Sequence, residues 1–402
     1  MFRGEPRQGQ PRGSSLPSML RVRHQHYKEP FHFPSYRPRE IGCVSVNAEG
    51  RFPNDAQNKR YLRLDARPIA MVQWDLMDGY YDRYIKMNMD NDEGRLHALL
   101  RWCLASGQQL RAATEGVLSD WRPLNFDFVA RRGHLAKVFL TPYADRGWEM
   151  AVTLFLGTYF LLVEREEEPP SERAEHYNFM GHKFEHYMTS AKAGQDPNPS
   201  EVLNDNEAFF TVLKASLNSH SLLFSAEVDG QDINYQQKAP ACYVELKTSQ
   251  MRGDTRNVPS FVKLKWWAQS FLAGIPRIIV GFKKDKSTVV KCIMYDVNAD
   301  GLRQTEDGGM NTDFWRPAVC MNFLDAFLSL VKEVVTEDNP EVVYNFSWKP
   351  GMDTVQYSVK RGQGHCFLLP EYIQSVRSRG PGVTEPSQHD HRRPCRVHQH
   401  RS

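Results

Sequence analysis

Two short runs constrain this chain more than any other feature: LLFSAEVDG at 222–230 and YVELKTS at 243–249. Both read as strands, and both carry acidic residues at chosen positions. Side chains alternate between faces along a strand. Glu227 and Asp229 therefore share one face, with Val228 on the other. Glu245 and Lys247 likewise share a face, while Val244 and Leu246 turn to the core. If the two strands are neighbours, three carboxylates and one ammonium meet at one spot. Like charges that close repel, and buried charges need partners. A divalent cation relieves the conflict, and carboxylate oxygens suit Mg²⁺ or Mn²⁺.

Asp229 is followed sixteen positions later by Glu245-x-Lys247, the spacing of the restriction-nuclease type of metal site. Either half alone is common and marks a solvated strand face more often than a site. The rest of the chain decides between the two readings.

A length of 402 residues allows two ordinary domains or one large α/β domain. An apolar fraction of 41% with 8 Trp supplies a sizeable core. The net charge of +3 announces no global affinity for nucleic acid, although a local groove can still be basic. Seven cysteines without a C-x₂₋₄-C pair argue against a disulfide framework or a zinc module, and for a reducing compartment. MFRGEPRQGQPRG lacks the apolar core of a secretory signal. The longest apolar stretch, 151–163, is too short to span a bilayer, so no membrane partner is expected.

Composition divides the chain into a flexible basic arm at 1–35, one continuous globular domain at 36–377 and a His-rich basic tail at 378–402. Within the domain, the run from about Asn91 has helical apolar spacing with Gly107 as a stop, and 148–164 reads as two strands turning at Gly157. The run from Asn204 is expected to supply a helix leading into the first acidic strand. In FDFVARRGHLAKVFLTPY, Arg131, Arg132, His134 and Lys137 form a basic cluster between two expected strands. Such a cluster suits a phosphate clamp, because guanidinium grips phosphate oxygens bidentately. Glu185 sits among aromatics on an expected helix. A further helix follows the second acidic strand, with Phe261, Leu264, Ala268, Phe271 and Leu272 on one face. Pro259 is placed to open it, Gly274 and Pro276 to close it, and Gln269 shares another face with Lys265.

The ordered segments ARRGHLAKV, GHKFE, AEVDG, YVELKTS and KWWAQSFLAGIPRIIVGF resemble the eukaryotic decapping and 5′-to-3′ exoribonuclease (DXO) family. EGRFPND and WDLMDGYYDRY are similar to its N-terminal segments, and the resemblance runs over about 36–360. It implies that Arg132 binds phosphate and that Glu185, Glu227, Asp229, Glu245, Lys247 and Gln269 form the catalytic set. Glu185, Glu227, Asp229, Glu245 and the Leu246 carbonyl would hold one or two Mg²⁺ or Mn²⁺ ions; Glu185, Lys247 and Gln269 would also meet substrate. Two departures stand out: Arg131 and His182 occupy positions where an aromatic residue is expected.

The expected fold is α/β: one large domain of two mixed or antiparallel sheets flanked by helices, with a restriction-nuclease-like metal core in the cleft between them. The resemblance implies metal-dependent hydrolysis at RNA 5′ ends. It includes removal of incomplete or NAD caps, pyrophosphate release in some members, and 5′-to-3′ degradation. It also implies a nuclear location, with the cytoplasm as alternative, and a nuclear 5′-3′ exonuclease as partner. Two competitors remain: a structure-selective DNA nuclease with the same carboxylates, and a non-catalytic RNA-end scaffold.

Overall fold

The computed structural model describes residues 19–28, 36–63, 70–88, 94–106, 123–164, 171–251, 258–304 and 315–378. The chain begins with β1 (Arg39–Val46), β2 (Tyr61–Leu62), β3 (Ala70–Asp75), β4 (Tyr84–Ile85) and helix α1 (Gly94–Ala105). Next come β5 (Phe128–Arg131), α2 (Arg132–Leu140), β6 (Trp148–Phe155), β7 (Thr158–Val163) and α3 (Glu172–Met188). The central third holds β8 (Thr189–Ser190), β9 (Leu203–Asn204), β10 (Ala208–Leu217), β11 (His220–Glu227), β12 (Gly230–Gln231) and β13 (Tyr243–Gln250). It is followed by α4 (Ser260–Ala273), β14 (Arg277–Lys283), β15 (Thr288–Asn298) and β16 (Gly301–Gln304). The domain closes with α5 (Pro317–Val334), β17 (Val342–Trp348), β18 (Gln356–Arg361) and α6 (Pro370–Ser378).

These strands form two 8-stranded sheets. One runs β1-β10-β11-β5-β7-β6-β17-β18; the other runs β16-β15-β14-β13-β12-β2-β8 with β3 beside β15. Both are mixed: β11 is parallel to β5 and antiparallel to β10, and β13 is parallel to β14 and antiparallel to β12. The two acidic strands are thus not neighbours in one sheet. β11 belongs to the first sheet and β13 to the second, and the chain crosses between them at Val228 and Asp229.

The expected helix from Asn204 is instead mostly strand β10. Phe209, Phe210, Thr211 and Val212 favour the pleated backbone, and both faces of the strand are buried. Such a strand shows no polar alternation, and its sequence is easily confused with a buried helix. Asn218, at φ 50°, turns it back into β11, with Leu217 opposite His220. The basic run after β5 is likewise not a turn between strands but helix α2, which packs against α4 and α5.

Part of the expected N-terminal arm is packed on the domain. Leu20, Val22 and Tyr27 are buried. The Val22 amide donates to Asp353 O at 2.9 Å, and the Val355 amide to Leu20 O at 3.0 Å. Tyr27 meets Phe323 edge to face. Burying three apolar side chains offsets the entropy of ordering this segment. The remainder of 1–35, the tail from 379 and Gly107 lie outside the described residues.

Two local features position the site. Helix α4 has Pro259 as its N-cap and ends at Gly274 in the left-handed region at φ 72°, as the Pro and Gly positions require. On β14, a Cβ at Gly281 would lie 2.5 Å from the Phe184 ring. Glycine there lets α3 lie close to the second sheet, which brings the adjacent Glu185 to the sheet junction.

Candidate active site

Each acidic residue reaches the junction by a different route. Glu227 is the last residue of β11, and Asp229 lies in the crossing to β12. β12 pairs with β13, Gly230 opposite Val244, so Asp229 is carried to the flank of β13. There Asp229 Oδ2 accepts the Leu246 amide at 2.6 Å and lies 3.6 Å from Lys247 Nζ. Glu245 is 2% exposed. Its Oε1 accepts from Lys247 Nζ at 2.8 Å and from Arg132 Nη1 at 3.3 Å. Val244 and Leu246 take the opposite face and join a core with Met180, Phe184 and Met188 of α3.

Arg132 arrives because β5 and β11 are parallel, with Arg131 beside Ser225. The next residue opens α2 at the edge where β11 delivers Glu227. Of the basic cluster, Arg132 forms an ion pair with Glu245. His134 is buried and paired with Leu161 O at 3.0 Å, and Lys137 is exposed. Gln269 is half-buried on α4, the helix packed against α2; no contact ties it to the carboxylates among the described residues.

Glu185, Glu227 and Asp229 line a cleft, while Glu245 lies behind them. The same cleft is lined by residues for which the sequence carried no signal: Lys59, Arg60 and Asp205. Arg60 is anchored by Thr189, donating to Oγ1 at 2.8 Å and to the carbonyl at 3.0 Å. His182, one turn before Glu185 on α3, also faces this cleft.

The electrostatics divide the carboxylates into two classes. Burial, with Asp229 and Glu227 nearby, pushes Glu185 up to about 8. Burial also raises Asp229 to about 6, against the pull of Lys247 and with repulsion from Glu245 and Glu227. Burial opposes ionisation of Glu245 too, but Lys247 and Arg132 prevail and hold it down at about 2. Lys247 and Arg132 are raised in turn; both resist desolvation through the surrounding acids. One half of the cluster is therefore paired, and the other half is acid in need of positive charge.

The donor set fits a hard divalent cation. Glu245 Oε2 is buried without a hydrogen-bond partner, an orphaned anionic oxygen in a cluster of carboxylates. Among the described residues no three His, Cys, Asp or Glu side chains already converge as ligands; Lys247 and Arg132 hold the other Glu245 oxygen instead.

Comparison with known proteins bears on this geometry. The RAI1-like PD-(D/E)XK nuclease model matches residues 36–373. The chain is 38% identical over 373 residues to the decapping and exoribonuclease protein of Xenopus laevis, covering 89% of this chain and 90% of that one. Among solved structures, Scheffersomyces stipitis Rai1 in complex with (3′-NADP)⁺ and calcium superposes with a TM-score of 0.71 at 20% identity, covering 90% of this chain and 100% of that one. Candida albicans Rai1 in complex with pU5 and Mn²⁺ gives 0.69 at 17% identity over the same shares. Asp229 and the Glu245-Leu246-Lys247 run stand in the order that the family name spells, although Val228 replaces its proline. With its matched span, its sheet crossing at Asp229 and its buried Glu-x-Lys, the chain belongs to the RAI1-like PD-(D/E)XK nuclease family.

Proposed function

We propose that this protein is a metal-dependent hydrolase of RNA 5′ ends, removing incomplete or NAD caps and degrading RNA 5′ to 3′. The observation that carries the reading is the Glu245 carboxylate, one oxygen gripped by Lys247 and Arg132 and the other buried without a partner beside Asp229. Family membership and the decapping and exoribonuclease relative support the choice of reaction. The fungal relatives solved with pU5 and with a nicotinamide dinucleotide support RNA ends and NAD caps as substrates.

Glu185, Glu227, Asp229, Glu245 and the Leu246 carbonyl are the residues that would hold one or two divalent ions. Mn²⁺ and Ca²⁺ in the relatives support a divalent ion, and Mg²⁺ suits the same oxygen donors. When bound, such an ion supplies Lewis acidity toward phosphoryl oxygens. Lys247, pinned between Glu245 and Asp229, keeps an ammonium where charge develops on the phosphate. Arg132 stands at the N-terminus of α2, where the guanidinium and the helix amides both favour a phosphate. Gln269 supplies a neutral donor and acceptor for water or a phosphoryl oxygen. A nuclear location and a 5′-3′ exonuclease partner rest on the family resemblance; co-purification from nuclei tests both.

The experiment compares wild type with Asp229→Ala on 5′-capped, NAD-capped and 5′-monophosphate RNAs in Mg²⁺, Mn²⁺ or EDTA, with cap and body labelled separately. Metal-dependent release of a cap-containing product by the wild type alone is the expected result. RNA binding without cleavage in any metal overturns the reading in favour of a scaffold.

A further inference from the structure

Beside its acidic residues the cleft contains a prearranged set of side chains. Asp205, its side chain 5% exposed, accepts from the Tyr84 hydroxyl on one oxygen and pairs with His182 Nδ1 on the other. Its backbone amide is held by Ile85 O at 3.0 Å, so the carboxylate has little freedom. The His182 ring is thereby oriented, yet its side chain remains 35% exposed and lines the same cleft as Glu185, Glu227 and Asp229. Its Nε2 is neither a buried orphan nor bonded to another described residue. One ring nitrogen is committed to the fold and the other is open to the cleft.

Building on the hydrolase reading, we propose that His182 is a substrate-binding residue. Its Nε2–H donates to an oxygen of the RNA 5′-terminal phosphate, and Asp205 and Tyr84 act as positioning residues. The spacing supports this. His182 and Glu185 are three apart on α3, so they stand side by side on one helix face. A phosphate lying on the acidic floor is then within reach of the imidazole. The ion pair with Asp205 favours the protonated ring, in which Nε2 carries the hydrogen that a phosphate oxygen accepts. An aromatic side chain at this position, as the family pattern leads one to expect, would offer a face and not a cationic donor. The substitution adds phosphate recognition to this chain.

The test uses full-length protein and pentauridylate carrying either a 5′-phosphate or a 5′-hydroxyl. In Mn²⁺, His182→Gln is expected to raise KM for the 5′-phosphorylated RNA about tenfold or more, in line with loss of a charge-assisted hydrogen bond. Its kcat should stay within about threefold. In Ca²⁺, equilibrium binding should lose its preference for the 5′-phosphate while affinity for the 5′-hydroxyl RNA stays unchanged. Asp205→Asn should give a smaller shift in the same direction, and the double variant should be no worse than His182→Gln alone. Equal weakening toward both RNAs, or an unchanged 5′-phosphate preference, overturns the assignment. Because the binding arm needs no turnover, a wild type that binds but never cleaves refutes the hydrolase reading separately. Melting curves confirm that each variant is folded.

Discussion

Asp229 Oδ2 accepts the backbone amide of Leu246 at 2.6 Å, and that bond ties the crossing between the two sheets to the strand bearing Glu245 and Lys247. The carboxylate thus has a structural and a chemical task, and two substitutions separate them. Asp229→Asn keeps an acceptor for Leu246 but loses the charge. Asp229→Ala loses both and leaves a half-buried amide unpaired, at a cost of about 1–3 kcal/mol. Both variants should lose cleavage of capped, NAD-capped and monophosphate RNA together. Only the alanine variant should unfold at lower denaturant. Near-normal hydrolysis by either removes Asp229 from the site.

Glu185 and Glu245 should respond oppositely to neutralisation. The Glu185 carboxyl is raised to about 8, so between its unfolded value and that pH the folded state binds more protons, and stability falls as pH rises. Glu185→Gln removes this penalty and should raise the melting temperature in EDTA at pH 7.5 by a few degrees. Glu245, held at about 2 by Lys247 and Arg132, stabilises the fold above its unfolded value. Glu245→Gln leaves two cations short of a partner and should cost about 3–5 kcal/mol. Mn²⁺ should stabilise the wild type more than either variant. Thermal melts with and without the ion check all three statements, and a destabilised Glu185→Gln in EDTA contradicts the division of the cluster.

Acid sensitivity should trace to His134. Burial, with Arg131 nearby, lowers its pKa to about 3 despite the bond to Leu161 O. The unfolded chain takes up a proton near pH 6.5 and the folded one does not. The contribution is therefore complete above pH 6.5 and is lost as pH falls toward 3, the loss reaching about 2 kcal/mol at pH 5. His182 has the opposite sign: its raised value stabilises below pH 6.5 and fades as pH climbs toward 10. Denaturation midpoints of wild type and His134→Gln should converge between pH 7 and 5. Parallel curves would show that His134 is not the source.

The acidic strands were legible because their side chains obey a period of two and their charges need an explanation. Helix α4 was legible because Pro259 and Gly274 punctuate it. What could not be read was the route by which the charges meet. β11 and β13 lie in different sheets, and the two-residue crossing that joins their acids has no signature of its own. β10 was mistaken for a helix because burial on both faces erases alternation. Arg132, His134 and Lys137 read as one basic cluster between strands, but α2 begins at Arg132 and spreads them around a helix. Asp205 and Arg60 are brought to the cleft by long-range contacts with Tyr84, His182 and Thr189, which no local pattern encodes.

Arg132 offers the sharpest test of how charge is used here. A cation at the first position of a helix faces the positive end of the dipole, an unfavourable place by itself. It persists, against the cost of burial, because Glu245 lies 3.3 Å away with Asp229 and Glu227 nearby. A second anion, the substrate phosphate, would find the remaining guanidinium donors and the α2 amides aimed together. Arg132→Lys keeps the charge beside Glu245 and should leave melting within a few degrees of wild type. Lysine has no planar fork, so KM for phosphate-terminated RNA should rise about tenfold. Arg132→Ala should do worse on both counts, since Glu245 then relies on Lys247 alone. An Arg132→Lys enzyme with wild-type KM would mean that the guanidinium serves Glu245 only and that phosphate is gripped elsewhere.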